Sequence, residues 1–423
     1  VVDYVSTAEG ERSGAGSEAV AVPIDRGFLD AWGCDDDGEG RVPDRLKNTM
    51  VTAISAGSGH NLVLKADGTL DAWGHNKWGQ ATVPDRLKEA EITTIATGYD
   101  HNLVIKQDDT LDAWGCNDDD QGGIPDRLTG TKAVAISGGA WHSVVVKDNF
   151  ILDAWGPEKF DQAAVPSRLQ NTKVAAVSAG YNHNLVIKQD GTLDAWGSNH
   201  KNKATVPDRL KDVKIAAISA GHDHSLVIKQ DGTLDVWGIE GQDAVPDRLK
   251  SAIVVAISAG YDHSVVLKRD GTLDAWGGDA CGKVTIPPRF KNTKIAAVST
   301  MYSHNLVLAA VLPSKAISLV NPAAKGQVVR PNTNAPHALH ARVRSEDGKP
   351  IRGLGITFTV LGSSGSTFLA GGRVYGATTD TDGIARASPL RAGSGSGSFS
   401  VVANAPTRRE LGVLEIPFTI TSV

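Results

Sequence analysis

Short apolar runs of four to six residues, divided by polar turns, recur along most of the chain, and residues 215–250 show one period in full. Ile215–Ser219 is apolar, Ala220-Gly221-His222-Asp223 reads as a turn, and His224–Lys229 is a second apolar run. Gln230-Asp231-Gly232-Thr233 follows, a hairpin signal in which glycine takes the positive φ of a tight turn. Leu234–Trp237 is the third run, and a return segment reaches Pro246. No stretch holds the 3.6-residue period of a long amphipathic helix. The pattern predicts an antiparallel meander of strands, apolar on both faces, as neighbours on either side would require.

The meander repeats, and the repeat dictates the architecture. An Asp-Ala/Val-Trp-Gly motif places Trp32, Trp73, Trp114, Trp155, Trp196, Trp237 and Trp276 at spacings of 41, five times, and then 39. Gly-x-x-His or its variant places His60, His101, His142, His183, His224, His263 and His304 in step, and Pro-x-Arg supplies Arg45 through Arg289 in the same way. Units of about 40 residues with several strands each are the signature of propeller blades. Phe28–Gly33 has no His strand before it, and Ile295–Ala310 has no Trp motif after it. The two halves predict an all-β, seven-bladed β-propeller over residues 20–311 with a shared closing blade, which pairs edges that would otherwise stand open. Residues 1–19 read as an N-terminal tail.

The run Ile54-Ser55-Ala56-Gly57, His60-Asn61-Leu62-Val63-Leu64, Asp67-Gly68-Thr69-Leu70-Asp71-Ala72-Trp73-Gly74-His75-Asn76 and Gly79-Gln80 resembles the regulator of chromosome condensation repeat family. The likeness spans about 290 residues and implies the seven-bladed fold. It does not carry one function, since propellers host many. The family's founding eukaryotic member promotes nucleotide exchange on a small GTPase at chromatin.

After Pro313 the pattern stops. Runs at Ala338–Val343, Gly355–Leu361, Gly383–Ala387 and Ser398–Ala403, split by Gly, Asp and Ser, predict a β-sandwich over 314–423. The stretches Asp347-Gly348-Lys349-Pro350-Ile351, Ile356–Val360, Thr378–Ala385 and Phe399–Ala403 resemble the bacterial Ig-like domain of invasin/intimin type, without cysteines. That resemblance implies a secreted or surface-displayed bacterial protein in which such domains are stalks.

Charge separates the two parts. Residues 1–313 hold 31 Lys/Arg against 42 Asp/Glu; residues 314–423 hold 12 against 6. Nucleic-acid binding needs a basic face, which the acidic propeller does not offer, so no nucleic-acid partner is expected. No run approaches the roughly 18 apolar residues of a membrane span, so no membrane insertion is expected. The chain starts at Val1 with no Met and no leader pattern, and reads as processed or excised from something longer. Cys34, Cys116 and Cys281 are expected as three free thiols, with Cys34–Cys281 the one geometrically conceivable bridge.

Candidate chemistry follows from what repeats and what varies. A residue present in every blade serves the blade, whereas a site needs an asymmetric convergence of groups. The seven marker histidines are therefore expected to hydrogen-bond backbone between blades rather than hold a metal, and the repeated Asp and Arg to pair structurally. Two positions before each His stand Ser58, Tyr99, Ala140, Tyr181, His222, Tyr261 and Tyr302; the next position holds Gly59, Asp100, Trp141, Asn182, Asp223, Asp262 and Ser303. These turns form a ring on one face, where aromatic surface beside acceptors suits a sugar or a peptide segment. Tyr99, Trp141, Tyr181, His222, Asp223, Tyr261, Asp262 and Tyr302 are the candidate ligand-binding residues. The arc from Tyr181 to Tyr261 is the favoured sector.

The acidic loops Cys34–Glu39 and Cys116–Asp120 lack the EF-hand spacing and read as solvated turns. Trp78 stands outside the motif positions, as an exposed contact or a loop anchor. No HExxH, GxSxG or phosphate loop occurs, so no catalytic residue, metal or cofactor is named. The expected function is a non-enzymatic adhesion or binding module, a monomeric propeller head recognising glycan or protein. The alternatives are an intracellular adaptor or small-GTPase exchange factor, and a toxin or enzyme using the central channel.

Overall fold

The computed structural model describes residues 27–47, 49–118, 120–238, 244–291, 293–310, 317–320, 323, 327–344, 350–362, 365–370, 372–394, 397–404 and 413–420. The expected tail, residues 1–19, lies outside the described residues. The chain divides into two compact units, with the boundary at Ala310 and Val311.

In the first unit each repeat is an antiparallel three-stranded sheet, as in Ile215–Ala220, His224–Lys229 and Leu234–Gly238. The hairpin between the last two strands is built as its sequence demands. Asp231 Oδ1 accepts the Thr233 amide at 2.8 Å and Gly232 takes φ +82°. Five sheets of this kind stand separately, and a six-stranded sheet joins two more through a short pairing of Gly27–Gly33 with Met50–Ala56. The Pro-x-Arg segments turn through a single short helical turn, such as Asp208–Leu210, whose Leu210 is fully buried.

The first described strand closes the unit. Gly27–Gly33 pairs along its whole length with the strand His304–Ala310, from Gly27 opposite Ala310 to Gly33 opposite His304. Core side chains lie between adjacent sheets. Trp196, for instance, packs with Val144, Val146, Leu169 and Val186, drawn from its own sheet, the preceding one and the turn between them. All seven motif tryptophans are buried, and Trp32 packs with Val265, Phe290 and Val298 across the closure. Each such buried aliphatic contributes about 1.5–3 kcal/mol, so stability is spread evenly round the unit.

One expectation fails here: Cys34 and Cys281 form a disulfide, with Cα atoms 5.0 Å apart, and Cys116 alone is free and buried. Gly27–Gly33 belongs to the sheet next to the one ending in Leu273–Gly277. The loops that follow these two strands are therefore neighbours, within the Cα range a bridge needs.

The second unit carries a three-stranded sheet (Ile317–Leu319, His340–Val343, Ile384–Arg386) and a five-stranded one. In the latter Gly355–Leu361 alternates inward Ile356, Phe358 and Val360 with outward neighbours, the period-2 pattern of a half-buried strand. Both sheets feed one core, in which Ala341, Val343 and Ala385 meet Phe358, Val401, Phe399 and Phe418. Gln327–Val329 runs parallel to Val413–Ile420, a pairing the sequence pattern did not announce.

Candidate functional site

Four sets of side chains stitch each sheet to the next. The marker histidines are completely buried, but they do not bond backbone as expected. His60 Nε2 meets Asn102 Oδ1 at 3.0 Å, His142 meets Asn184, His263 meets Asn305 and His304 meets Asn61; His101, His183 and His224 meet Ser143, Ser225 and Ser264. The partner is thus the side chain one residue past the marker His of the next repeat, and that side chain in turn reaches backbone. Asn102 Nδ2 donates to the Gln80 carbonyl and Ser225 Oγ to the Lys203 carbonyl. Because Nδ2 is committed to a carbonyl, Oδ1 faces the imidazole, which must donate from Nε2. Each Nδ1 is left without a hydrogen-bond partner among the described residues.

Burial disfavours the charged ring. It pushes His60, His142, His224 and His263 down to about 4, and His101 and His304 down to about 3. His183 falls well below its usual value for the same reason. These are neutral spacers, and the glycine three before six of the seven fits them closely: a Cβ on Gly98 would sit 2.1 Å from the His101 ring.

The second set is the serine of each Ile/Val-Ser. Ser178 Oγ accepts the Ala220 amide at 3.0 Å, and Ser299 Oγ accepts the Ala56 amide across the closure. In the third, each Arg pairs with the Asp of the following Trp motif, from Arg45–Asp71 at 2.8 Å to Arg289–Asp30 at 3.1 Å, and also donates to the next carbonyl. The arginines are about half exposed, so each pair contributes about 1 kcal/mol or less. The fourth set is a loop position that pattern reading missed: Glu39, Gln80, Gln121, Gln162, Lys203 and Lys283 are all buried at the same register. Their spacing of 41 from Glu39 to Lys203, with Lys283 two intervals further on, was the available signal.

The non-repeating turn residues converge at one mouth of the unit. Tyr99 lies 6.2 Å from Tyr181, Tyr181 4.0 Å from His222, His222 4.2 Å from Tyr261, Tyr261 4.8 Å from Tyr302, and Tyr302 5.7 Å from Tyr99, measured between ring centroids. Five rings therefore close a circuit, and Trp141 stacks on Tyr99 from outside at 5.3 Å. The rings are half-buried by one another, and Tyr261 is the most open at 38%. Backbone bonds between successive turns hold them, as in Tyr181 N to Gly221 O and His222 N to Gly260 O.

The carboxylates are not the free acceptors the sequence suggested. Lys203, itself buried, holds Asp223 at 2.9 Å, and Lys283 holds Asp262 at 2.5 Å. Where three other repeats carry glutamine and the first a glutamate, these two place an ammonium, so the acids are neutralised from within. Trp78 and the equivalent Phe160 are exposed, each with the preceding lysine over its ring. In the first acidic loop Glu39 caps the Asp37 amide and Asp35 pairs with Arg41; Asp119 of the second lies outside the described residues. Among the described residues no group of three or more His, Cys, Asp or Glu gathers.

The same repeat is recognised on sequence grounds. Residues 51–80, 92–121, 174–202, 215–242 and 254–283 each match the family model of the regulator of chromosome condensation (RCC1) repeat. These five segments are similar to RCC1 repeats. Among curated proteins no sequence matches it. Solved structures share the fold: Prp20p from Saccharomyces cerevisiae is 17% identical with a TM-score of 0.56, covering 68% of this chain and 92% of its own. Human WBSCR16 is 18% identical with a TM-score of 0.55, covering 67% and 98%. Yeast RCC1 (Prp20), in a structure with Kap60 bound, gives 17%, 0.54, 72% and 96%. The RCC1-repeat unit is therefore propeller-like.

Proposed function

We propose that the chain is a non-catalytic binding module: a seven-bladed RCC1-type propeller whose aromatic mouth recognises a protein partner, carried on an Ig-like spacer. The observation that carries the reading is the closed circuit of Tyr99, Tyr181, His222, Tyr261 and Tyr302. Inside the unit the register is filled alike in every repeat; at this register the residues differ, and five of the seven supply rings to a single half-exposed cluster. Aromatic side chains give large contact area at little entropic cost, which is why they anchor interfaces. Propeller relatives bind proteins too: Prp20p is described with binding to Gsp1p and histones, and yeast RCC1 with Kap60.

Secretion or surface display fits the Cys34–Cys281 bridge, since disulfides persist in oxidising compartments. An intracellular exchange factor would meet a reducing pool. The test is binding of the full chain to protein and glycan arrays, beside the double variant Tyr181→Ala/Tyr261→Ala. Protein hits lost in the variant, with an unchanged circular dichroism spectrum, support the reading. Hits that survive the double substitution, or that are glycans alone, overturn it.

A further inference from the structure

Resting on the reading of the mouth as a recognition face, we infer that its ligand group is a primary ammonium, the head of a lysine presented by the partner protein. Three observations converge on that chemistry. The first is the lining. Tyr99, Tyr181, Tyr261 and Tyr302 ring the opening with His222 and Met301, and no Lys or Arg is among the lining residues. Ring faces carry negative charge density and attract a cation placed over them, more strongly where water is excluded.

The second is size. The space left beneath the rings is about 20 Å³, room for about one water. A lysine ammonium is a compact point charge of that scale on a flexible apolar stem, whereas guanidinium and trimethylammonium groups are far larger. The third is the surround. Gly180, Gly221, Tyr99 and Tyr302, all lining residues, each have a carbonyl that accepts one backbone N–H. Each keeps a second lone pair, matched to the three donors of an ammonium. The excess of acidic residues, 42 against 31 basic over residues 1–313, steers a cationic partner to the unit.

The experiment uses the full chain with ring-¹³C-labelled tyrosine, whose six tyrosines include the four of the mouth and Tyr375 of the second unit as an internal control. It is titrated with n-butylammonium, tetramethylammonium and n-butanol. Saturable shifts of Tyr99, Tyr181, Tyr261 and Tyr302 with n-butylammonium are expected, with Tyr375 unmoved. The response to n-butanol should be about 5-fold weaker or less, the size of an exposed cation–π preference. Tetramethylammonium should fall behind n-butylammonium because it does not enter. Tyr302→Leu, which keeps bulk but removes the π face, should lose the ammonium response while Tyr375 stays in place.

Equal shifts with n-butanol, or none with n-butylammonium, overturn the assignment. The outcomes also separate it from the reading beneath it. Protein partners that depend on Tyr181 and Tyr261 but are not displaced by n-butylammonium leave the face standing and the ammonium fallen. Ammonium binding alongside partners indifferent to those tyrosines does the reverse.

Discussion

The marker histidine and the residue two before it share one turn, yet across the repeats they behave oppositely. The histidine is the same in all seven turns, fully buried, and always bonded to the Asn or Ser of the next sheet. Two residues earlier stand Ser58, Tyr99, Ala140, Tyr181, His222, Tyr261 and Tyr302, and the rings among them meet each other at the mouth. A register that must join identical neighbours accepts only one solution, so the residue repeats. A register that faces out of the ring joins no fixed neighbour and is free to differ. The comparison teaches that internal repetition marks frame and internal variation marks the surface where recognition can be built.

Acid breaks the frame side of that comparison most strongly. An unfolded histidine takes up its proton near pH 6.5, whereas six of the folded ones wait until about 3 to 4. The unfolded chain therefore binds more protons in this window, and stability falls as pH drops from 6.5 toward 4. Each site contributes about 3 kcal/mol across the window, and together they exceed the roughly 5–15 kcal/mol of a whole domain. Cooperative unfolding of the RCC1-repeat unit is expected between these limits, followed by circular dichroism. A melting temperature level from pH 7 to pH 4 would show the imidazoles are not the buried neutral spacers described.

Next in size is the clasp. Cys34–Cys281 links the closing strand to the penultimate repeat, 247 residues apart. Replacing both by alanine should remove up to about 5 kcal/mol on the loop-entropy account. Thiol titration of the denatured, unreduced chain should return one free group, Cys116. Three free groups would mean the ring closes by strand pairing, Arg289–Asp30 and packing alone.

The third contrast sets His224 against His222, two residues apart. His224→Ala removes the imidazole bonded to Ser264 and should cost about 1–3 kcal/mol, with chelator leaving stability unchanged. His222→Ala loses only ring contacts at the half-open mouth and should cost less. Equal losses by thermal melting would erase the distinction between the two registers.

Much of the frame was legible because its period is fixed: Trp at 41-residue steps, Gly-x-x-His, and the Asp-Gly hairpins placed strands and turns together. The His partners were not legible, because the Asn61 and Ser225 positions read simply as strand residues until the next sheet is laid beside them. The bridge was named as the one conceivable pair but not expected to form, since its cysteines stand 247 residues apart and meet only when the ring closes. At the mouth, composition named the turns whose rings meet, but not that Lys203 and Lys283 would quench Asp223 and Asp262. In the second unit Gly355–Leu361 followed its alternation, while short strands such as Thr367–Phe368 carried no period to read.

The smallest effect tests whether every departure from the repeat is functional. In the hairpin after the marker strand Gly68, Gly191, Gly232 and Gly271 take φ between +82° and +86°, and the hairpin after the third marker strand, that of His142, puts Phe150 there at +67°. A bulky side chain in the left-handed region costs about 1–2 kcal/mol, since Cβ crowds the following carbonyl. Phe150 is 38% exposed and its amide bonds Lys147 O just as the Gly191 amide bonds Lys188 O. Little packing is therefore lost by removing the ring. Part of the relief is offset by the greater freedom of glycine in the unfolded chain, about 0.4–1 kcal/mol. Phe150→Gly should raise stability by about 0.5–1 kcal/mol, and Asp109→Gly by less, because Asp tolerates this backbone. A gain read by chemical denaturation makes Phe150 an unfavourable exception within the frame. A loss would mean its ring is held by contacts, and Phe150 would then stand with the mouth tyrosines as a departure that serves a purpose.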